Sequence, residues 1–158
     1  MNSGDVVIDK KKAIIWGLIA IILQMGIFSA LWLNPIVSGI NDQFINDPAV
    51  IPYEYFGDLD EWMKIRTIYN IFILAVLVNL FLMFYEKIPG KGWVKGIWFG
   101  LIISTVKVFP EAFNKWTLVV YPNELILLQF VNGYVGLIIF GVMLAILFRR
   151  MSVIKHTV

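Results

Sequence analysis

Five residues on one apolar stretch constrain this 158-residue chain most: Gly96, Gly100, Ser104, Lys107 and Glu111. At about 100° per residue they fall within an arc of roughly 80° on one helix face. Small residues, a cation and an anion therefore share one side of a stretch of membrane-spanning length. Apolar residues make up 59% of the sequence and mean hydropathy is +0.80, above the roughly 45–50% apolar share of soluble domains. Lipid is the expected solvent. Four stretches carry the excess, at about 13–33, 67–85, 94–113 and 125–148, each near the roughly 20 residues that a 30 Å hydrocarbon core demands of a helix. The expected fold is all-α: a four-transmembrane-helix bundle forming a single integral membrane domain over residues 1–158.

Orientation follows from the basic residues. Lys10, Lys11 and Lys12 precede the first stretch, but its apolar run exceeds the roughly 7–15 residues of a signal peptide and no small-x-small cleavage site is well placed after it. It reads as a retained helix. With the N-terminus inside, the cytoplasmic side gathers nine of the thirteen Lys and Arg: Lys10, Lys11, Lys12, Lys87, Lys91, Lys95, Arg149, Arg150 and Lys155. Only Asp5, Asp9 and Glu86 oppose them there, whereas Lys64, Arg66, Lys107 and Lys115 share the other side with eight carboxylates. Lys and Arg bias sets topology, so both termini are expected in the cytoplasm of a bacterial or archaeal cell, the chain lying in its plasma membrane. Trp16, Tyr85, Trp93 and Trp98 near the inner boundary, with Trp32, Tyr69, Trp116 and Tyr121 near the outer one, match the interfacial aromatic belts of membrane proteins.

The connections are unequal. Residues 86–93, with Pro89, Gly90 and Gly92, read as a tight cytoplasmic turn. The outer loop, about 34–66, contains Pro35, Pro48 and Pro52 and carries Asp42, Asp47, Glu54, Asp58, Asp60 and Glu61. Its aromatics (Phe44, Tyr53, Tyr55, Phe56, Trp62) favour a loop lying over the outer face, and an amphipathic segment from Asp58 to Ile65 offers the second helix an early start. The acidic spacing does not match a calcium-binding loop. No metal site is expected, and no cofactor.

The first helix sets Ala13, Gly17, Ala20 and Gln24 on one face; the fourth sets Gln129, Asn132, Gly133 and Gly136 on one face. Small residues let membrane helices approach closely, and amides bond between them at about 0.6–2 kcal/mol each, so these faces and the stripe on the third helix should meet. Two readings of the resulting seam stand side by side. In one, Gln24, Asn70, Gln129 and Asn132 join the helices while Lys107 snorkels outward or pairs with Glu111. In the other, Gln24, Asn70, Ser104, Lys107, Glu111, Gln129 and Asn132 line a polar pocket open to the outside. A lysine at a helix centre costs about 2.5–3.5 kcal/mol, less toward the interface, and intramembrane charge marks function by default. Pro110, lacking an amide hydrogen, should kink the third helix or open a short new one.

Asn70 and Asn79 are nine residues apart and point to opposite sides of the second helix. With Asn70 in the seam, Asn79 stacks with Ala75 and Met83 on a face turned away, where a second copy of the chain or another membrane protein would satisfy its amide.

Catalytic constellations are lacking. The single histidine, His156, lies in the polar tail, cysteine is absent, and neither a phosphate-binding loop nor a dinucleotide fingerprint occurs. The basic residues read as topology determinants or anionic-lipid contacts, with no nucleic-acid partner. Trp32 with Asn34-Pro35 closing the first helix, the Gly96 and Gly100 pair, and Gln129-Phe130-Val131-Asn132-Gly133-Tyr134 through Gly141 resemble a loose group of small bacterial four-helix membrane proteins of unknown function. The long acidic loop and Lys107 depart from that pattern. The resemblance implies architecture only. The expected function is non-catalytic: a membrane-embedded binding or transport-related protein whose outward seam takes a small anionic or lipid-like ligand, with an accessory or self-associating subunit as the alternative and a membrane enzyme as a third class.

Overall fold

The computed structural model describes residues 6–44 and 57–156. In chain order these form a short strand β1 (Val6–Ile8), helices α1 (Lys10–Leu33), α2 (Pro35–Gln43), α3 (Leu59–Phe84), α4 (Trp93–Leu118) and α5 (Asn123–Arg150), and a second strand β2 (Ile154–His156). Helices α1, α3, α4 and α5 are long and apolar enough to cross a membrane. Protein buries only 22–39% of their most apolar windows, which leaves Ile14, Ile22, Phe72, Val106 and Leu127 turned outward. An apolar surface of that extent needs lipid around it, and the chain is a multi-pass membrane protein.

Three features modify the sequence expectation. First, a short ribbon accompanies the helices of this all-α fold: β1 and β2 pair antiparallel, Val6 with His156 and Ile8 with Ile154, and the Asp9 amide donates to the Val153 carbonyl at 2.9 Å. This ribbon ties the start of α1 to the end of α5, so both chain ends meet at one end of the helices. Second, the outer loop begins with a helix. The Asn34 side chain accepts from the amides of Ile36 and Val37, with Pro35 in the first helical turn, a standard helix start. The central part of the loop, 45–56, including Asp47, Pro48, Pro52, Tyr53, Glu54, Tyr55 and Phe56, lies outside the described residues. Third, α4 runs through Pro110 to Leu118 without a break, so no separate helix opens at that proline. The early start of α3 comes from Asp58, whose carboxylate accepts from the Glu61 amide at 2.8 Å and caps a first turn carrying Asp60 and Glu61.

Packing is led by small residues. Along α4 and α5, Gly96 faces Gly141, Gly100 faces Leu137 and Ile138, and Val108 closes on Gly133. On the other side of α5 the Phe28 ring of α1 lies against Gly136, while Gly17 admits Val78 of α3. Near the ribbon the core is aromatic: Phe81 meets Phe99 and Phe148 edge to face, with centroids 5.1 and 6.0 Å apart. The turn between α3 and α4 needs positive φ at Gly90 and Gly92. Lys95 then reaches back from α4 to the carbonyls of Tyr85 and Ile88, each at 2.6 Å.

Candidate functional site

A cavity of about 580 Å³ occupies the end of the molecule away from the ribbon. The last turns of α1 contribute Met25, Phe28 and Trp32, α2 contributes Asn41, the first turns of α3 contribute Met63, Arg66 and Asn70, and the end of α4 with the start of α5 closes the rest. Of the seven seam residues, Asn70, Lys107, Glu111 and Gln129 line this cavity. Gln24, Ser104 and Asn132 do not.

Two of those three lie deeper, and the third lies beside the lining. Gln24 and Ser104 sit one turn below the lining residues Phe28 and Val108, and Asn132 adjoins the lining residue Gly133. Gln24 and Ser104 are fully buried and Asn132 nearly so. The Gln24 amide nitrogen donates to the Gly136 carbonyl at 2.9 Å, joining α1 to α5. Gln24 Oε1, Ser104 Oγ and Asn132 Nδ2 have no hydrogen-bond partner among the described residues. Buried polar atoms left so are costly, at about 1–3 kcal/mol each, and are an exception in native structures.

The ion pair on the α4 stripe is not the expected one. Glu111 pairs with Lys115 at 3.1 Å, and Lys107 has no carboxylate within reach among the described residues. The physical reason is order: on a helix, an acid four residues before a base is the favourable arrangement, the reverse less so. Lys115 also donates to Gln129 Oε1 at 2.5 Å and stands 5.3 Å above the Tyr121 ring, and Gln129 in turn donates to the Tyr121 hydroxyl at 2.9 Å. This network fixes the end of α4 to the start of α5. Lys107 is exposed at the cavity edge one turn deeper along α4 than Glu111.

Arg66 and Lys115 are site residues that the sequence reasoning left out. The Arg66 guanidinium lies 4.9 Å from the Trp62 ring and 5.9 Å from the Trp32 ring, a cation–π arrangement bridging α3 to α1. The spacing of Trp62 and Arg66, one helical turn, was the available signal. Among the described residues, three cations thus line the cavity against one carboxylate. That carboxylate is engaged by Lys115, and no carboxylate pairs with Arg66 or Lys107 among the described residues. No group of three His, Cys, Asp or Glu stands close enough to hold a metal ion among those residues.

On α3, Asn79 is exposed and its amide donates to its own helix, to the Ala75 carbonyl at 2.8 Å. One N–H of the amide that a second chain was expected to satisfy is therefore bonded within its own helix, which leaves the other N–H and the amide oxygen. Ala75 and Asn79 border a shallow hollow of about 180 Å³ between α1 and α3, and Met83 is 72% exposed on the same helix. No protein-family model, characterised protein or solved structure matches the chain, so the chemistry of the cavity carries the functional reading.

Proposed function

We propose that this is a non-catalytic plasma-membrane protein of four spanning helices, both termini cytoplasmic, whose outward-facing cavity binds a small amphipathic anion. The observation that carries the reading is the pairing of charge in the cavity: Glu111 is taken by Lys115, and Arg66 and Lys107 are left without carboxylate partners among the described residues. Cations near a low-dielectric wall favour an anionic partner. Phe28, Trp32, Phe130 and Met63 supply apolar wall beside them, and the volume lies within the roughly 300–1,000 Å³ of small-molecule sites. The nine-to-four distribution of basic residues supports the orientation.

Thermal unfolding in neutral detergent with added dodecyl phosphate tests this. Binding to the folded state alone raises stability by about 2.7 kcal/mol at a hundredfold excess over Kd, so the melting temperature should rise for the wild type and not for the Arg66→Gln, Lys107→Met double variant. A wild type indifferent to dodecyl phosphate and to dodecanoate alike would sink the reading. One observation favours the second reading, a subunit that pairs through α3: Asn79 and, more strongly, Met83 are exposed on α3, and Asn79 with the half-buried Ala75 borders the hollow beside α1.

A further inference from the structure

Helices α3 and α4 are joined at one end and apart at the other. Near the ribbon, Phe81 packs on Phe99 and Lys95 binds the Tyr85 and Ile88 carbonyls just beyond the end of α3. Toward the opposite end α4 follows α5, through Val108 on Gly133 and Lys115 on Gln129, while α3 leans on α1 through the stacking of Arg66 with Trp32. Between the cavity-lining parts of α3 (63–70) and α4 (107–115) no hydrogen bond, ion pair or ring contact occurs among the described residues. Among the described residues α4 packs on α5, α5 on α1 and α1 on α3, whereas α3 and α4 pack little on each other. The opening of the cavity therefore includes a gap between two helices whose outer surfaces, with Met63, Ile68, Phe109 and Phe113, are apolar and exposed.

We propose that an anionic membrane lipid enters the cavity sideways through the gap between α3 and α4, its headgroup held between Arg66 and Lys107 and its chains remaining in the bilayer. This rests on the cavity being an anion site, as proposed above, and adds the ligand class and the route. A water-soluble anion would need no gap at bilayer depth. A lipid does, because withdrawing each methylene of its chains from hydrocarbon costs about 0.8 kcal/mol. The two cations stand on opposite sides of the gap, one on each helix, which suits a headgroup arriving along it. Asn70, on the α3 side of the cavity, adds donors and an acceptor for a headgroup oxygen.

The chain has no cysteine, so a cross-link across the gap can be placed cleanly. In the full chain, Thr67→Cys with Ala112→Cys puts one thiol on each helix, both at cavity-lining positions, for closure by a bis-maleimide. The protein is then returned to nanodiscs of phosphatidylcholine, and the probes are a fluorescent phosphatidylglycerol and soluble glycerol phosphate. Before closure both should bind; after closure the lipid should lose about tenfold or more in affinity, equal to about 1.4 kcal/mol, while glycerol phosphate is retained. Undiminished phosphatidylglycerol binding after closure overturns lateral entry and leaves the anion site standing. Failure of both probes before closure overturns both. Should the double variant not fold, Lys107→Met in the otherwise native chain decides the matter: preference for phosphatidylglycerol over phosphatidylcholine must disappear, and an unchanged preference removes the proposal.

Discussion

Gly96 of α4 and Gly141 of α5 meet backbone to backbone, so closely that a Cβ on either would collide with the carbonyl oxygen of the other. Backbone cannot rotate away as a side-chain tip can, and association of helices in lipid depends on such close approach. Gly141→Ala should therefore cost about 2–3 kcal/mol, as overpacking of a rigid contact does. Gly26→Ala is the control, because nothing lies within 4 Å of a Cβ there, and it should hold or gain up to about 1 kcal/mol from helix propensity. Melting of both variants in one detergent checks the contrast; equal effects would mean that α4 and α5 do not pack through this pair.

The α4 stripe illustrates how far periodicity alone reaches. It placed Gly96, Gly100 and Ser104 on a buried face because helix geometry fixes angle from spacing. It also grouped Lys107 with Glu111, and there it failed, since a partner one turn further on, Lys115, competes with the better order. The ribbon was illegible for a different reason. Its strands are three residues each and are paired by the two ends of the chain, so no local pattern marks them. The start of α2 is legible in Asn34-Pro35, but the same residues also close α1, and that role hides the second. Arg66 lies outside the seam pattern because, two residues after Lys64 at the start of an apolar stretch, it reads as a topology charge. Its stacking on Trp32, from another helix, is a tertiary fact.

Lys95 gives a second test of packing. Its ammonium donates to two carbonyls beyond the end of α3 and lies 4.8 Å above the Tyr85 ring, which satisfies groups that a helix end leaves open. Hydrogen bonds to charged groups contribute about 1.5–3 kcal/mol, and partial exposure argues for the low end. Lys95→Met should lower the melting temperature by several degrees and loosen α3 from α4, seen as faster amide exchange at 82–88. Unchanged exchange there would show that the aromatic core alone holds the two helices.

Gln24 separates shape from polarity. Replacement by Leu keeps most of the volume, loses one bond to Gly136 and also removes the unpartnered Oε1, so the net change should stay within about 1 kcal/mol. Gln24→Ala opens a cavity in a fully buried site and should cost about 2–5 kcal/mol. If Gln24→Leu is as damaging as Gln24→Ala, Oε1 has a partner in the membrane-embedded protein, and the level below the cavity is a polar network.

Topology is open to direct labelling. Ser38 lies on α2, at the end of α1 away from the ribbon, and Ser152 lies between α5 and β2. With the termini cytoplasmic, Ser38→Cys should react with an impermeant maleimide in intact cells and Ser152→Cys only after lysis. Reaction at 152 alone would invert the orientation and turn the cavity inward.

Lys107 and Lys115 are two turns apart on α4 and should behave oppositely. Lys115 binds Glu111, Gln129 and the Tyr121 ring at once, so Lys115→Met removes the tie between α4 and α5 and leaves Glu111 without its partner. A loss of about 1–3 kcal/mol is expected, because the carboxylate is more than half exposed and water offsets part of the cost. Among the described residues Lys107 makes no such contacts, and it is exposed, so Lys107→Met should leave the melting temperature within about 1 kcal/mol equivalent of the wild type, the usual range for a surface position. Binding of an anionic amphiphile should show the reverse ranking, with Lys107→Met the more damaging of the two. Melting curves and dodecyl phosphate titrations on the same two proteins read both quantities. If Lys107→Met instead unfolds the protein while Lys115→Met spares it, Lys107 is a packing residue and the assignment of the cavity cations must be exchanged.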